Sequence, residues 1–172
     1  MDKDRWLRAL AAFLVEGHKR CWAGDGAEET PMFPGMKCLY HKSHEWEYRD
    51  SYSGYFRAPG STFISFRDVP VWNMSYFGQG QMPGQEPFAK PTYAFLKRAL
   101  LQATPALPYR GPSEYREDGW TYRFQMLHGD LEDFLAKENV FKGNASVFSQ
   151  TIGGGIIIGR DQDRNPVRPW EL

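Results

Sequence analysis

Two stretches of strict two-residue alternation constrain this chain more than any other feature. From Trp46 to Tyr52, residues Trp46, Tyr48, Asp50 and Tyr52 share one side and Glu47, Arg49 and Ser51 the other. From Trp120 to His128, residues Trp120, Tyr122, Phe124 and Met126 alternate with Thr121, Arg123 and Gln125. Successive side chains of a strand point to opposite faces, so each stretch predicts a strand with one aromatic and one solvated face. An aromatic face must be covered, and two apolar-striped helices are available to cover it. The first spans Asp2 to Glu16, with Trp6, Leu7, Leu10, Phe13 and Leu14 on one stripe, Asp2 or Asp4 as cap and Gly17 as stop. The second spans about Thr92 to Ala103, with Phe95, Leu96, Ala99 and Leu100 buried.

Further strands are expected at Lys37–Tyr40, Thr62–Phe66 and Val69–Phe77, with Arg67-Asp68 as a tight turn. Asn139–Lys142 and Ala145–Ile152 read as a hairpin around Gly143-Asn144. Ala58-Pro59-Gly60 reads as a turn, and residues 22–35, 78–91 and 105–115 as loops rich in Gly and Pro. Gly153-Gly154-Gly155 is expected to break the chain before a last apolar run, Ile156–Ile158.

The two halves also match in order. Each begins with a helix, and each has a strand opening aromatic-x-Tyr-Arg, at Trp46 and at Trp120. Each closes on a Val-aromatic run before glycines, from Val71 and from Val147. Tyr48 and Val71 lie 23 residues apart, Tyr122 and Val147 lie 25 apart. The reading is α+β: duplicated helix-plus-three-strands units forming a mainly antiparallel sheet of about six strands, or two packed sheets, covered by helices. One domain of two similar halves (about 1–80 and 88–158) precedes a polar tail, 159–172, in which Trp170 can dock.

Composition narrows the partners. Lys plus Arg and Asp plus Glu number 21 each, and this balance argues against a broad nucleic-acid surface. Two cysteines make no disulfide framework. No apolar run is long enough for a membrane span, and the first residues do not resemble a signal peptide, so a cytoplasmic protein is expected. Aromatic residues make up 16% of the chain, and aromatics line ligand pockets as well as cores.

The segments CWAGDG (Cys21–Gly26), YRDSYSG (Tyr48–Gly54), VPVWNMSYFG (Val69–Gly78), PYRGP (Pro108–Pro112) and the closing GGGII from Gly153 resemble a bacterial family of uncharacterised domains. Its members occur alone or behind an XRE-type helix-turn-helix DNA-binding domain. The resemblance spans about residues 6–158, and its most specific segments are YRDSYSG and VPVWNMSYFG. It implies the extent of the fold and, by the pairing with regulators, effector sensing. These 172 residues show no helix-turn-helix part, so direct nucleic-acid binding is not expected.

Asp50 is the most informative candidate, since a carboxylate in an aromatic row needs a partner or a ligand. The plainer reading, a bond to a Tyr hydroxyl or an Arg or a place at the solvated edge of the row, ranks ahead of a ligand contact or a general base. Trp72, Met74 and Tyr76 share a strand face, as a core stripe first and an aromatic platform second. Arg110, held between prolines, suits carboxylate or phosphate recognition, with pairing to a local acid as the plainer reading. His18, Cys21, Cys38 and His41 have paired spacing that zinc accepts, but in an unusual order and on unsuitable elements, so no metal is expected. Asp130, Glu132, Asp133 and Glu138 read as a solvated acidic face, with a divalent-cation site as the alternative. The triple glycine has no following Lys-Ser/Thr to bind phosphate, and no Ser-His-Asp order or G-x-S-x-G motif is present.

Three functions follow in order. The first is a small-molecule-binding domain with an aromatic pocket between the halves, lined by Tyr48, Asp50, Tyr52, Trp72, Met74, Tyr76, Arg110 and Tyr122, with no cofactor. The second is an enzyme using Asp50 as acid or base in that pocket. The third is a protein-interaction module serving a regulator or toxin.

Overall fold

The computed structural model describes residues 1–31, 33–80 and 86–172. Helix α1 (Lys3–Arg20) is capped by Asp2, whose carboxylate accepts the Arg5 N–H at 3.0 Å. Strands β1 (Glu28–Glu29), β2 (Lys37–Ser43), β3 (Trp46–Tyr52), β4 (Arg57–Phe66) and β5 (Val69–Gly80) follow. Helix α2 (Ala89–Leu100) precedes β6 (Glu114–Glu117), β7 (Trp120–Gly129), β8 (Asp133–Lys142) and β9 (Ala145–Ile156). These strands form one antiparallel nine-stranded sheet in the order β1-β2-β3-β4-β5-β9-β8-β7-β6. The long strands β5 and β9 pair at its centre, from Trp72 opposite Ile156 to Gly80 opposite Phe148.

Two-residue hairpin turns hold the meanders. Arg67 and Asp68 both have positive φ, as do Asp118 and Gly119, the geometry whose twist matches flanking strands. Both helices lie on one sheet face. Trp6 and Phe13 of α1 meet Trp46, with centroids 5.4 and 5.6 Å apart, while Phe95 of α2 stacks on Tyr115 and Trp120. Between them Leu10, Leu14, Ile64, Trp72, Met74, Leu96, Tyr122 and Ile152 are fully buried. The other face carries Ser61, Asn73, Ser75, Thr151 and Lys137, with Phe63, Phe77 and Leu135 exposed among them.

Several expectations are corrected. The sheet has nine strands rather than about six: β1 lies within the loop expected over 22–35, β6 begins in the loop expected over 105–115, and β8 extends the strand expected at Asn139–Lys142 back to Asp133. Gly17 does not stop α1, which runs on to Arg20. Ala58-Pro59-Gly60 is strand, opposite Gly78, Phe77 and Tyr76. Pro59 is tolerated there because its carbonyl faces Ser53 (N to O, 3.1 Å), past the end of β3, so its missing N–H leaves no strand unpaired. Gly78 to Gly80 extend β5, and α2 begins at Ala89 and ends at Leu100; of the loop expected over 78–91, residues 81–85 lie outside the described residues, as does Met32 of the 22–35 loop. Gly153–Gly155 do not break the chain: they pair with β5 on one side and β8 on the other. The tail forms a small hairpin, β10 (Gly159–Arg160) with β11 (Pro166–Val167), and Trp170 meets Trp6 edge-on at 6.2 Å. No helix among the described residues is long and apolar enough to cross a membrane.

Candidate functional site

A cavity of about 260 Å³ opens beside α2, over the seam where β5 meets β9. Its floor is Asp50, Ala58, Tyr76, Gly78 and Gln150, on neighbouring strands. Its wall is a run of rings: Tyr93 of α2 meets Tyr55 and Phe148 edge-to-face, at 5.7 and 5.8 Å, and Trp22 at 6.1 Å. Arg110, from the loop between α2 and β6, reaches in beside Tyr76 with its guanidinium carbon 5.4 Å from the ring centre. Lys37 and Lys97 also line it, paired to Glu28 (2.5 Å) and to Asp25 respectively.

Asp50 is only 2% exposed. Its Oδ1 accepts two hydroxyl hydrogen bonds, from Thr62 and from Tyr76, both at 2.9 Å. Its Oδ2 has no hydrogen-bond partner among the described residues. Burial raises the Asp50 pKa, and the Arg110 charge with the Tyr76 and Thr62 bonds opposes that rise. Tyr76 reaches Asp50 because Gly60 lies beneath it: a Cβ on Gly60 would stand 2.4 Å from the Tyr76 hydroxyl.

Beside this lies a second buried carboxylate, Glu138, fully inaccessible. Its Oε1 accepts from Tyr122 at 2.8 Å and from Arg110 Nε at 3.3 Å. Its Oε2 accepts from Gln150 and from the second Arg110 nitrogen at 3.5 Å. Burial opposes the Arg110 charge, but Glu138 foremost, then Tyr76, Tyr122 and Asp50, outweigh it and raise the guanidinium pKa. The plainer reading of Arg110, pairing with an acid, therefore describes two of its nitrogens; its third has no hydrogen-bond partner among the described residues. Behind the floor, His18 Nδ1 bonds the Tyr48 hydroxyl at 2.9 Å. Burial, then the Arg110 charge, lowers the His18 pKa to about 3, so the ring is neutral.

Of the eight residues expected to line a pocket, Asp50, Tyr52, Tyr76 and Arg110 border this cavity. The other four do not. Tyr48 lies under α1 against His18 and Tyr122 is bonded to Glu138 and the Gly111 N–H. Trp72 stacks on Phe134 and donates to the Leu131 carbonyl at 2.9 Å, and Met74 is packed in the core. The acidic face is also corrected: Asp130 and Asp133 are exposed, but Glu138 points inward from the middle of β8. Its alternation was available in the sequence, since Phe134, Ala136, Glu138 and Val140 repeat every second residue. Phe148 and Gln150 alternate with Ile152 in the same way, whereas Trp22, Tyr55 and Tyr93 had no such signal, because they come from loops and a helix rather than from one strand. His18, Cys21, Cys38 and His41 do not converge: His18 holds Tyr48 and His41 holds Glu16 at 2.8 Å. No group of three or more His, Cys, Asp or Glu among the described residues is arranged to hold a metal.

The arrangement defines a helix-covered antiparallel sheet with a central aromatic pocket. Residues 50–157 match the family described as a domain of unknown function, DUF5680, and the chain belongs to that family. The matched span includes Asp50, Tyr76, Arg110, Glu138 and Gln150, while α1, Trp22 and Lys37 precede it. No curated protein and no solved structure matches the chain.

Proposed function

We propose that this chain is a small-molecule-binding domain whose ligand enters the cavity over the β5–β9 seam and contacts Asp50. The observation that carries the reading is the unfilled acceptor on Asp50: a nearly inaccessible carboxylate with one oxygen open to an aromatic-walled cavity. Burying a carboxylate without full hydrogen bonding is costly, and a ligand donor removes that cost. The volume is near the lower end of ligand pockets, roughly 300 Å³ and upward, so a small metabolite fits. The likeness to domains carried behind bacterial XRE-type regulators supports effector sensing in a cytoplasm. In each half a helix precedes the strands, five in the first and four in the second, and Tyr48 in β3 and Tyr122 in β7 each lie on the third strand from the β5–β9 seam; this common order supports an origin by duplication.

Native mass spectrometry of freshly purified protein, followed by a thermal-shift screen of small fragments, tests the reading. Binding is expected to the wild type and to be lost when Gly78→Leu fills the cavity floor. A screen in which no fragment raises the wild-type melting temperature, with no co-purified mass, sinks it.

One observation favours a second reading, an enzyme in the same pocket. Burial holds the Asp50 pKa above that of an ordinary carboxylate, as a general acid or base requires. In that case incubating the protein with a metabolite extract depletes a compound, and Asp50→Asn abolishes the depletion while still binding it. Equal depletion by both proteins removes this reading.

A further inference from the structure

The charges around the cavity determine what kind of ligand it takes. The buried cluster holds two carboxylates, Asp50 and Glu138, and one guanidinium, Arg110. His18 is neutral and contributes no charge. Lys37 and Lys97 at the rim are each matched by an acid, Glu28 and Asp25. The pocket is thus one positive charge short. Arg110 keeps one nitrogen open as a donor, but Glu138, held by its other two nitrogens, already matches its charge. An anionic ligand there would put three negative groups around one guanidinium, which like-charge repulsion in a desolvated site opposes.

Hydrogen bonding points the same way. The open Asp50 Oδ2 is an acceptor that only an N–H or O–H donor can fill. The wall provides ring faces and edges from Tyr52, Tyr55, Tyr93 and Phe148, a lining that attracts cations and flat apolar bodies alike. Two rings at this site already carry cations, Trp22 under Lys97 at 5.2 Å and Tyr76 under Arg110 at 5.4 Å.

We infer that the pocket binds a small organic cation that carries N–H groups, an ammonium or amidinium on a flat or apolar body, with its charge against Asp50 Oδ2. This rests on the pocket reading above and specifies its ligand class. The N–H group distinguishes the expected ligand from a quaternary ammonium, which would leave the carboxylate oxygen unbonded.

Three near-isosteric probes separate the possibilities by calorimetry: benzamidine, a cation; benzamide, neutral; and benzoate, an anion. The wild type is expected to bind benzamidine at least ten-fold more tightly than benzamide and benzoate not measurably. Asp50→Asn, checked for folding by circular dichroism, is expected to reduce benzamidine to the benzamide level. Tyr93→Leu, which removes one ring and leaves the charges in place, is expected to weaken benzamidine more than benzamide. Benzamide or benzoate binding as tightly as benzamidine overturns the cation assignment and leaves the pocket reading standing. Benzamidine preference surviving in Asp50→Asn overturns it too. If none of the three binds while the fragment screen finds other ligands, the charge argument fails alone; if the screen is also blank, both readings fail.

Discussion

Asp50 and Glu138 are two carboxylates buried on the same face of one sheet, and they are handled differently. Both oxygens of Glu138 are filled, by Tyr122, Gln150 and two nitrogens of Arg110. Asp50 fills only Oδ1, from Thr62 and Tyr76, and Oδ2 faces the cavity. A buried acid whose acceptors are all occupied by the protein is a structural device: it fixes strand β8 against Arg110 and the loop that carries it. A buried acid left half-occupied beside an open space is a cost to the fold that a donor from outside the chain, water or ligand, offsets. Two carboxylates equally hidden from water therefore divide into scaffold and site, and hydrogen-bond accounting distinguishes them where burial does not.

That division is broken most directly by truncating each acid. Glu138→Ala leaves Arg110 buried without its partner and strips an acceptor from Tyr122 and Gln150, so a loss of about 3–5 kcal/mol in urea unfolding is expected. Asp50→Ala deprives only two hydroxyls, of which Tyr76 borders the cavity and can turn to water there while Thr62 is fully buried. A loss of less than half as much is expected, about 1–2 kcal/mol. Equal losses in the two variants would mean that Asp50 is scaffold too.

The same division explains what the sequence made legible. The strands that carry the site were plain from alternation: Trp46–Tyr52 is strand β3 residue for residue. Asp50 stood out because it interrupts a row of rings. Helix and strand identities followed from periodicity, while element ends did not, since pairing across the sheet decides them. Pro59 and Gly153–Gly155 look like breakers by local preference, yet the twelve-residue strands β5 and β9 need neighbours of matching length to satisfy their backbone groups. Glu138 was read with Asp130, Glu132 and Asp133 because four nearby acids suggest a wet face. Only the alternation starting at Phe134 separates it from them. The ring wall was not legible, because Trp22, Tyr55, Tyr93 and Phe148 come from four segments distant in sequence that only the fold brings together.

A smaller effect tests whether Tyr76 is part of the site's support. Gly60→Ala puts a methyl group 2.4 Å from the Tyr76 hydroxyl, the movable end of that side chain. Tyr76 is expected to swing off Asp50, giving up a hydrogen bond to a charged group, at a cost of about 2 kcal/mol in urea unfolding. Alanine would ordinarily be neutral or better than glycine in a strand interior, so the sign itself is informative. A stability within about 0.5 kcal/mol of wild type, the ordinary range for an inconsequential substitution, would show that the bond between Tyr76 and Asp50 contributes little.

The smallest expected effect has the opposite sign. Asp50→Asn keeps an oxygen to accept from Thr62 and Tyr76 and removes the charge that burial disfavours. A gain of about 1 kcal/mol, or roughly 2–4 °C in melting temperature, is expected at neutral pH. The pH dependence follows from the direction of the shift. Burial raises the folded Asp50 pKa above its unfolded value of 3.8, so the folded state holds the proton more tightly. The wild type is therefore not penalised below pH 3.8, and its disadvantage against Asp50→Asn grows as pH rises through the folded pKa and then levels off. Parallel urea titrations of the two proteins across that range read the difference directly. Glu138→Gln, in contrast, is expected to destabilise at neutral pH, because Arg110 then lacks its countercharge. If both amide variants moved stability in the same direction, the two acids would not be distinct in kind, and the assignment of Asp50 as the ligand contact would lose its thermodynamic support.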